Sequence, residues 1–276
     1  MITVDSSTPA RTAPTPVRRL LNVAKLHVAN PATVIVTPLL ILATIFVLNW
    51  LIWLLLTATL PSGGELAAGD GTEWSGAVSF VFVYMLVVAV QAMNATFPLA
   101  LGYGATRRDF YLGSALAFVL LSAGWALLLG VFGLLEDLTG GWGLGGTMFR
   151  SVIFGDGGAL ERTWVFFVLL LFFFFTGSAV AALYVRWRHY GLISYFAVVA
   201  FAVVGVVALI VLTDSGGLIV DTLSSLGFAG SYALLLIPTL ISAIAGFGLL
   251  RGATPRGRTK STYCQFRLLG SRHEGD

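Results

Sequence analysis

TVIVTPLLILATIFVLNWLIWLLLT, residues 33–57, contains no Asp, Glu, Lys, Arg or His. As a helix rising ~1.5 Å per residue it crosses a ~30 Å hydrocarbon core, and it exceeds the ~18 apolar residues that mark a spanning segment. Five more uncharged windows follow, at 77–101, 112–135, 164–185, 192–213 and 230–250. None alternates as a membrane strand does. The expectation is therefore an all-α integral membrane protein, a bundle of six transmembrane helices rather than a barrel. Composition agrees: of 276 residues, 57% are hydrophobic and 11% charged, whereas soluble domains carry about 25% charged residues.

Charges outside the windows are sorted by side. Six spans put both termini on one face. That face holds 14 of the 16 Lys and Arg residues, and only Arg150 and Arg162 fall on the other. The positive-inside rule makes the basic face cytoplasmic, as expected of a multi-pass protein of the cell membrane. The opposite side holds Glu65, Asp70, Glu73, Glu136, Asp137, Asp156, Glu161, Asp214 and Asp221. The first apolar run is too long for a signal-peptide core. A lone Cys264 excludes an intramolecular disulfide and a cysteine metal cluster. Residues 1–16, rich in Ser, Thr and Pro, are expected to be disordered, 31–250 to form the six-helix domain, and 251–276 a basic cytoplasmic tail.

Residues 17–29, VRRLLNVAKLHVA, read as a helix at 100° per residue. Val17, Leu20, Leu21, Ala24 and Val28 gather on one face and Arg18, Asn22 and Lys25 near the opposite one, with Leu26 breaking the polar side. Such a helix, over 17–30, lies in the cytoplasmic interface, where Arg18, Arg19 and Lys25 meet anionic membrane lipid. The alternative is a basic flank that does not fold. Asn30-Pro31 stops the helix.

Between the second and third windows stands YGATRRDFYLGS, residues 103–114. Gly102 and Gly104 weaken the arriving helix, and Pro98 kinks it earlier. Thr106 and Asp109 have capping-box spacing, so a new helix begins at Arg107, with a bend near Gly113. Arg107 and Arg108 then occupy a first turn where the macrodipole disfavours cations by ~0.3–1 kcal/mol each. Asp109 offsets part of that, so something outside the helix must favour them. Either the two arginines pin the loop inside against lipid phosphates, or they dock a cytoplasmic partner with Phe110 and Tyr111 supplying apolar grip.

The run HVANPATVIVTPLLILATIFVLNWLIW, followed by GYGATRRDFYLGSAL, resembles the permease subunits of type-2 ATP-binding-cassette exporters. The resemblance covers most of residues 17–250, and GATRRDFYLG is its most specific part. It implies that the connector is a coupling helix, with Gly104, Thr106, Arg107, Arg108, Asp109 and Phe110 seated in a cleft of a nucleotide-binding ATPase subunit. It also implies a second permease protomer, either another copy or a sister chain. ATP and Mg would bind the partner subunit, with no cofactor in this chain. The glycine-rich outer loop and the arginine-rich tail match nothing in that family.

What the chain lacks points the same way. It contains no G-x-x-x-x-G-K-[ST] phosphate loop, so hydrolysis belongs to another polypeptide. The windows hold no ionisable group to carry coupling charge, which argues against an ion-driven transporter. Asn49, Gln91 and Asn94 are the conspicuous polar side chains there, and either line a translocation path or bond between helices. Gly177, Ser178, Ala181 and Ala182, and Ser242 with Gly246, have the small-xxx-small spacing of helix contacts. TGGWGLGGTMFRSVIFGDGG, between the third and fourth spans, reads as a flexible outer loop, and GGLIVDTLSSLGFAG before the sixth as a re-entrant or interfacial helix. Neither a metal site nor a nucleic-acid partner is expected. A non-transporting scaffold and a membrane enzyme remain as alternatives, although His27, His189 and His273 are widely separated and Glu136-Asp137 has no evident base or nucleophile. A lipid, a hydrophobic drug, a peptide and a glycan are all open as cargo.

Overall fold

A computed structural model describes residues 15–59, 76–155 and 157–252. The expectations for 1–14, for the tail beyond 252, and for Glu65, Asp70, Glu73, Asp156 and Cys264 lie outside the described residues. Those described are helical, with no strand among them. Helix α1 spans Pro16–Val28 and α2 Thr37–Thr59. Next come α3, Ser79–Gly102, and α4, Arg107–Leu138. Then follow α5, Ala159–Leu212, α6, Gly216–Ala233, and α7, Leu236–Arg251. Five helices, Ala32–Thr59, Ser79–Gly102, Arg107–Leu138, Ala159–Leu212 and Gly216–Arg251, are long and apolar enough to cross a membrane.

Five such helices among the described residues take in the six uncharged windows because 164–185 and 192–213 lie on one helix of 54 residues. Unbroken, it would be ~80 Å long, more than twice a ~30 Å core. It is broken at Arg188, whose φ of 51° and ψ of −134° are not helical. A Cβ on Gly191 would come within 3.0 Å of the Leu183 carbonyl, whereas residues eight apart on a straight helix are separated by ~12 Å. The chain therefore turns sharply there. No proline or glycine lies between Arg186 and Tyr190 to announce it.

The start of α2 is a π-turn, Ala32–Val36, in which the Thr37 N–H reaches the Ala32 carbonyl. In that register the Thr33 carbonyl is owed to residue 38, which is proline and has no N–H. The Tyr84 hydroxyl of α3 supplies the missing donor, at 2.9 Å.

The core lies where α3, α4 and the first arm of α5 meet. Phe82, Phe118, Phe166 and Phe174 are buried there, with Phe118 and Phe174 stacked at 5.1 Å. Two of the expected small-residue contacts are made, at Gly177 and Gly246. A Cβ on Gly177 would stand 2.6 Å from the Leu86 carbonyl and 3.0 Å from the Ala89 Cβ of α3. Gly246 of α7 faces Tyr111 and the Ala179 backbone. Gly177→Ala should therefore lower stability by about 1–3 kcal/mol, since backbone cannot move aside as a side chain does. Gly248→Ala, with no atom within 4 Å of its new methyl, should leave the thermal midpoint level or raise it. Equal midpoints for the two variants in the same detergent would show that α3 and α5 are not in close contact.

By contrast, the arm of α5 beyond Gly191 is largely exposed, from Ile193 and Phe196 to Val211 and Leu212, with Leu192, Tyr195 and Ile210 half-buried. The connector α6 is helical, as expected, but bends at Gly227 (φ 67°) and buries none of its residues.

Candidate functional site

The two ends of the bundle differ in charge. At one end α3 stops, α4 starts, α7 stops and α1 lies alongside. Gly104, with φ of +80°, closes α3. The Ala105 N–H bonds to the Ala100 carbonyl and the Gly104 N–H to the Leu101 carbonyl, each at 3.0 Å. This is a Schellman cap, which requires a left-handed residue at that position. Gly104 thus terminates the helix rather than merely weakening it. Two residues on, the Thr106 hydroxyl accepts from the Asp109 N–H at 3.1 Å and α4 begins at Arg107. The threonine caps as expected. The acid does not return the bond; Asp109 pairs with Arg19 of α1 at 3.5 Å.

Helix α1 docks along α4 at Gly113. That residue is no bend, since α4 runs unbroken to Leu138. It is instead the point of closest approach: a Cβ there would meet the Val23 Cβ at 2.6 Å and the Leu20 carbonyl at 2.8 Å. Val23, Ala24 and His27 are buried in the seam, while Val17, Leu21 and Val28 stay exposed. Of the expected membrane-surface residues, Arg18 and Lys25 are exposed and Arg19 is shared with Asp109. His27 Nε2 lies 2.6 Å from the Ser114 hydroxyl, with the ring between Phe110 and Phe118. Burial pushes the His27 imidazole down to about 4. At 100° per residue His27 stands beside Leu20 at the edge of the apolar face, and docking against α4 buries it.

This docking corrects one expectation. Phe110 has no exposed surface and Tyr111 is 6% exposed. Phe110 packs against His27 and Phe97, and Tyr111 against Phe247. Neither can grip a partner. The apolar group presented outward is Tyr103, 79% exposed. Gly104, Thr106 and Arg108 are exposed beside it, with Arg107 and Asp109 half-buried.

The cost of a cation in the first turn of α4 is met from outside that helix. Arg107 Nη1 donates to the Arg251 carbonyl at 3.0 Å, so its charge stands at the negative end of α7. A Cβ on Gly252 would lie 2.9 Å from Arg186 Nη1, which brings a further cation to the same terminus. Arg107, Arg108 and Arg251, with Leu112 and Phe247, enclose a cavity of about 510 Å³.

At the other end of the bundle, Glu136 and Asp137 finish α4. Glu136 is completely buried. Its oxygens accept from the N–H groups of Met148, Phe149 and Arg150 at 3.0–3.2 Å and from Trp142 Nε1 at 3.0 Å. Asp137 pairs with Arg150 at 2.5 Å and Arg162 at 3.0 Å. The glycine-rich loop expected to be flexible is therefore folded around one carboxylate, with a second tying it to α5. Beside it, Leu127, Trp164, Phe167, Leu226 and Phe228 line an apolar cavity of about 990 Å³, where Glu161 accepts from the Ala229 N–H at 3.2 Å.

The expected translocation residues are not brought together. Asn49 donates to its own helix, to the Ile45 carbonyl at 2.9 Å. On α3, Gln91 is exposed and Asn94 half-buried, and neither lines the two cavities described above. No protein-family model, curated protein or solved structure matches the chain.

Proposed function

We propose that this chain is the membrane-spanning subunit of an ATP-driven exporter, working with a separate ATPase that docks on the connector between α3 and α4. On this reading it crosses the cell membrane six times, the turn at Arg188 dividing α5 into two spans, and both termini are cytoplasmic. Helix α1 lies in the interface with Val17, Leu21 and Val28 toward lipid. A second permease protomer completes the path, and the apolar cavity near Trp164 suits the apolar part of a cargo.

One observation carries the proposal: the connector is tied to three helices at once. The Arg19–Asp109 pair and the Gly113 seam join it to α1, Arg107 joins it to α7, and α4 grows directly from it. A force on Tyr103 and Arg108 would therefore reach α1, α4 and α7 together, as a subunit without its own engine requires.

The test is recovery of a phosphate-loop ATPase with the full chain from native membranes in mild detergent. Tyr103→Ala/Arg108→Ala should lose that ATPase by about tenfold or more while keeping its helicity, because exposed aromatic and arginine anchors dominate such contacts. Phe110 is left intact because it is core. Full retention by the double variant would move the contact elsewhere, and no ATPase with either protein would favour the scaffold.

A further inference from the structure

We propose that the cavity between the start of α4 and the end of α7 is a binding site for the phosphate headgroup of an anionic membrane lipid. The two helices run in opposite senses here, and each contributes a matched pair one turn apart. On α4 the pair is Arg108 and Leu112; on α7 it is Arg251 and Phe247. Residues at i and i+4 share a helix face. Each face therefore carries a guanidinium at the helix end and an apolar side chain one turn deeper into the span. Arg107 closes the rim through its bond to the Arg251 carbonyl.

The result is an amphipathic slot of about 510 Å³, cationic at the mouth and apolar at the floor. No acid lines it. Among the described residues none of its three arginines has an ion pair, since Asp109 is committed to Arg19. The end of α7 offsets part of the charge of Arg107 and Arg251, but Arg108 has no such partner, and three like charges around one cavity favour an anion. Guanidinium groups match phosphate oxygens bidentately, and basic pockets between spanning helices hold anionic headgroups. The floor selects the source. Leu112 is 41% exposed although it lines a charged cavity, and with Phe247 it offers the first methylenes of an acyl chain a surface that free phosphate would leave empty. The site does not depend on the exporter reading, and it needs no ATPase.

The test uses the purified full chain in neutral detergent, without any ATPase. Dioleoyl phosphatidylglycerol, dioleoyl phosphatidylcholine and inorganic phosphate are the probes, with bound lipid read by native mass spectrometry. Phosphatidylglycerol should be retained over phosphatidylcholine and should resist displacement by inorganic phosphate. Arg251→Gln should weaken retention about fivefold, Arg108→Gln/Arg251→Gln more, and Arg251→Lys least, as expected for about one surface charge each. Phe247→Ala should weaken lipid retention with the charges intact. Equal retention of the two lipids by the unaltered chain overturns the proposal, and so does unchanged retention by the double glutamine variant. Displacement of the lipid by inorganic phosphate overturns the lipid assignment and gives the cavity to a soluble phosphate. The two-lipid comparison needs no variant, so it decides the matter even if a variant fails to fold.

Discussion

Glu136→Ala should destabilise the protein by about 4 kcal/mol and open the loop between α4 and α5 to protease. The carboxylate serves four donors, three of them backbone N–H groups, and Met148 and Phe149 are themselves buried. Each buried donor left without a partner costs about 1–3 kcal/mol, so the Met148 and Phe149 N–H groups alone account for about 2–6 kcal/mol. Glu136→Gln is the sharper variant. It keeps the volume and one acceptor oxygen, but turns an NH2 group toward N–H donors that it cannot satisfy. It should fall between alanine and the unaltered chain. The checks are thermal unfolding and limited proteolysis within 139–155. If both variants resist protease like the parent, Glu136 does not hold the loop.

Acidification should loosen α1. The His27 imidazole is lowered from 6.5 to about 4 by burial, so between those values the undocked state binds a proton that the docked state refuses. Stability therefore rises with pH across that window. The contribution is complete above pH ~6.5, falls as pH drops toward ~4, and reaches about 3 kcal/mol in total, at 1.36 kcal/mol per pKa unit. Below ~4 both states are protonated and the loss stops. The thermal midpoint, followed from neutral pH to about 4, should show this slope, and His27→Leu should flatten it. The leucine suits a site between Phe110 and Phe118, and Ser114 keeps its bond to the Phe110 carbonyl at 2.8 Å. An equal slope in that variant would assign the acid sensitivity to another group.

How much of this was legible in the sequence depends on the range of the interaction involved. Local chemistry was readable. The Asn30-Pro31 stop, the Thr106 cap, the start of α4 at Arg107 and the close packing at Gly177 and Gly246 all follow from residues a few positions apart. The helical, membrane-compatible character of the chain was equally plain in its uncharged windows. Interactions between distant segments were not. Phe110 looked like a surface knob because nothing nearby in sequence covers it; α1 does, from more than 80 positions away. Glu136 looked like one of several outer acids, and its four donors lie 6 to 14 positions downstream in a loop whose glycines suggested looseness. The turn at Arg188 has no proline or glycine at the break itself, and Gly191, three residues on, declares its role only through its approach to Leu183. The candidate site was legible as a set of arginines, but not as a slot, because Arg251 joins Arg108 only once the last helix returns beside the fourth.

The foot of α2 has a mechanical consequence. Because Pro38 cannot close its own turn and Tyr84 does so instead, the second and third helices share a rivet at one end. Tilting either alone means breaking that rivet and stranding a carbonyl, so separate tilting of the two helices is penalised at that end.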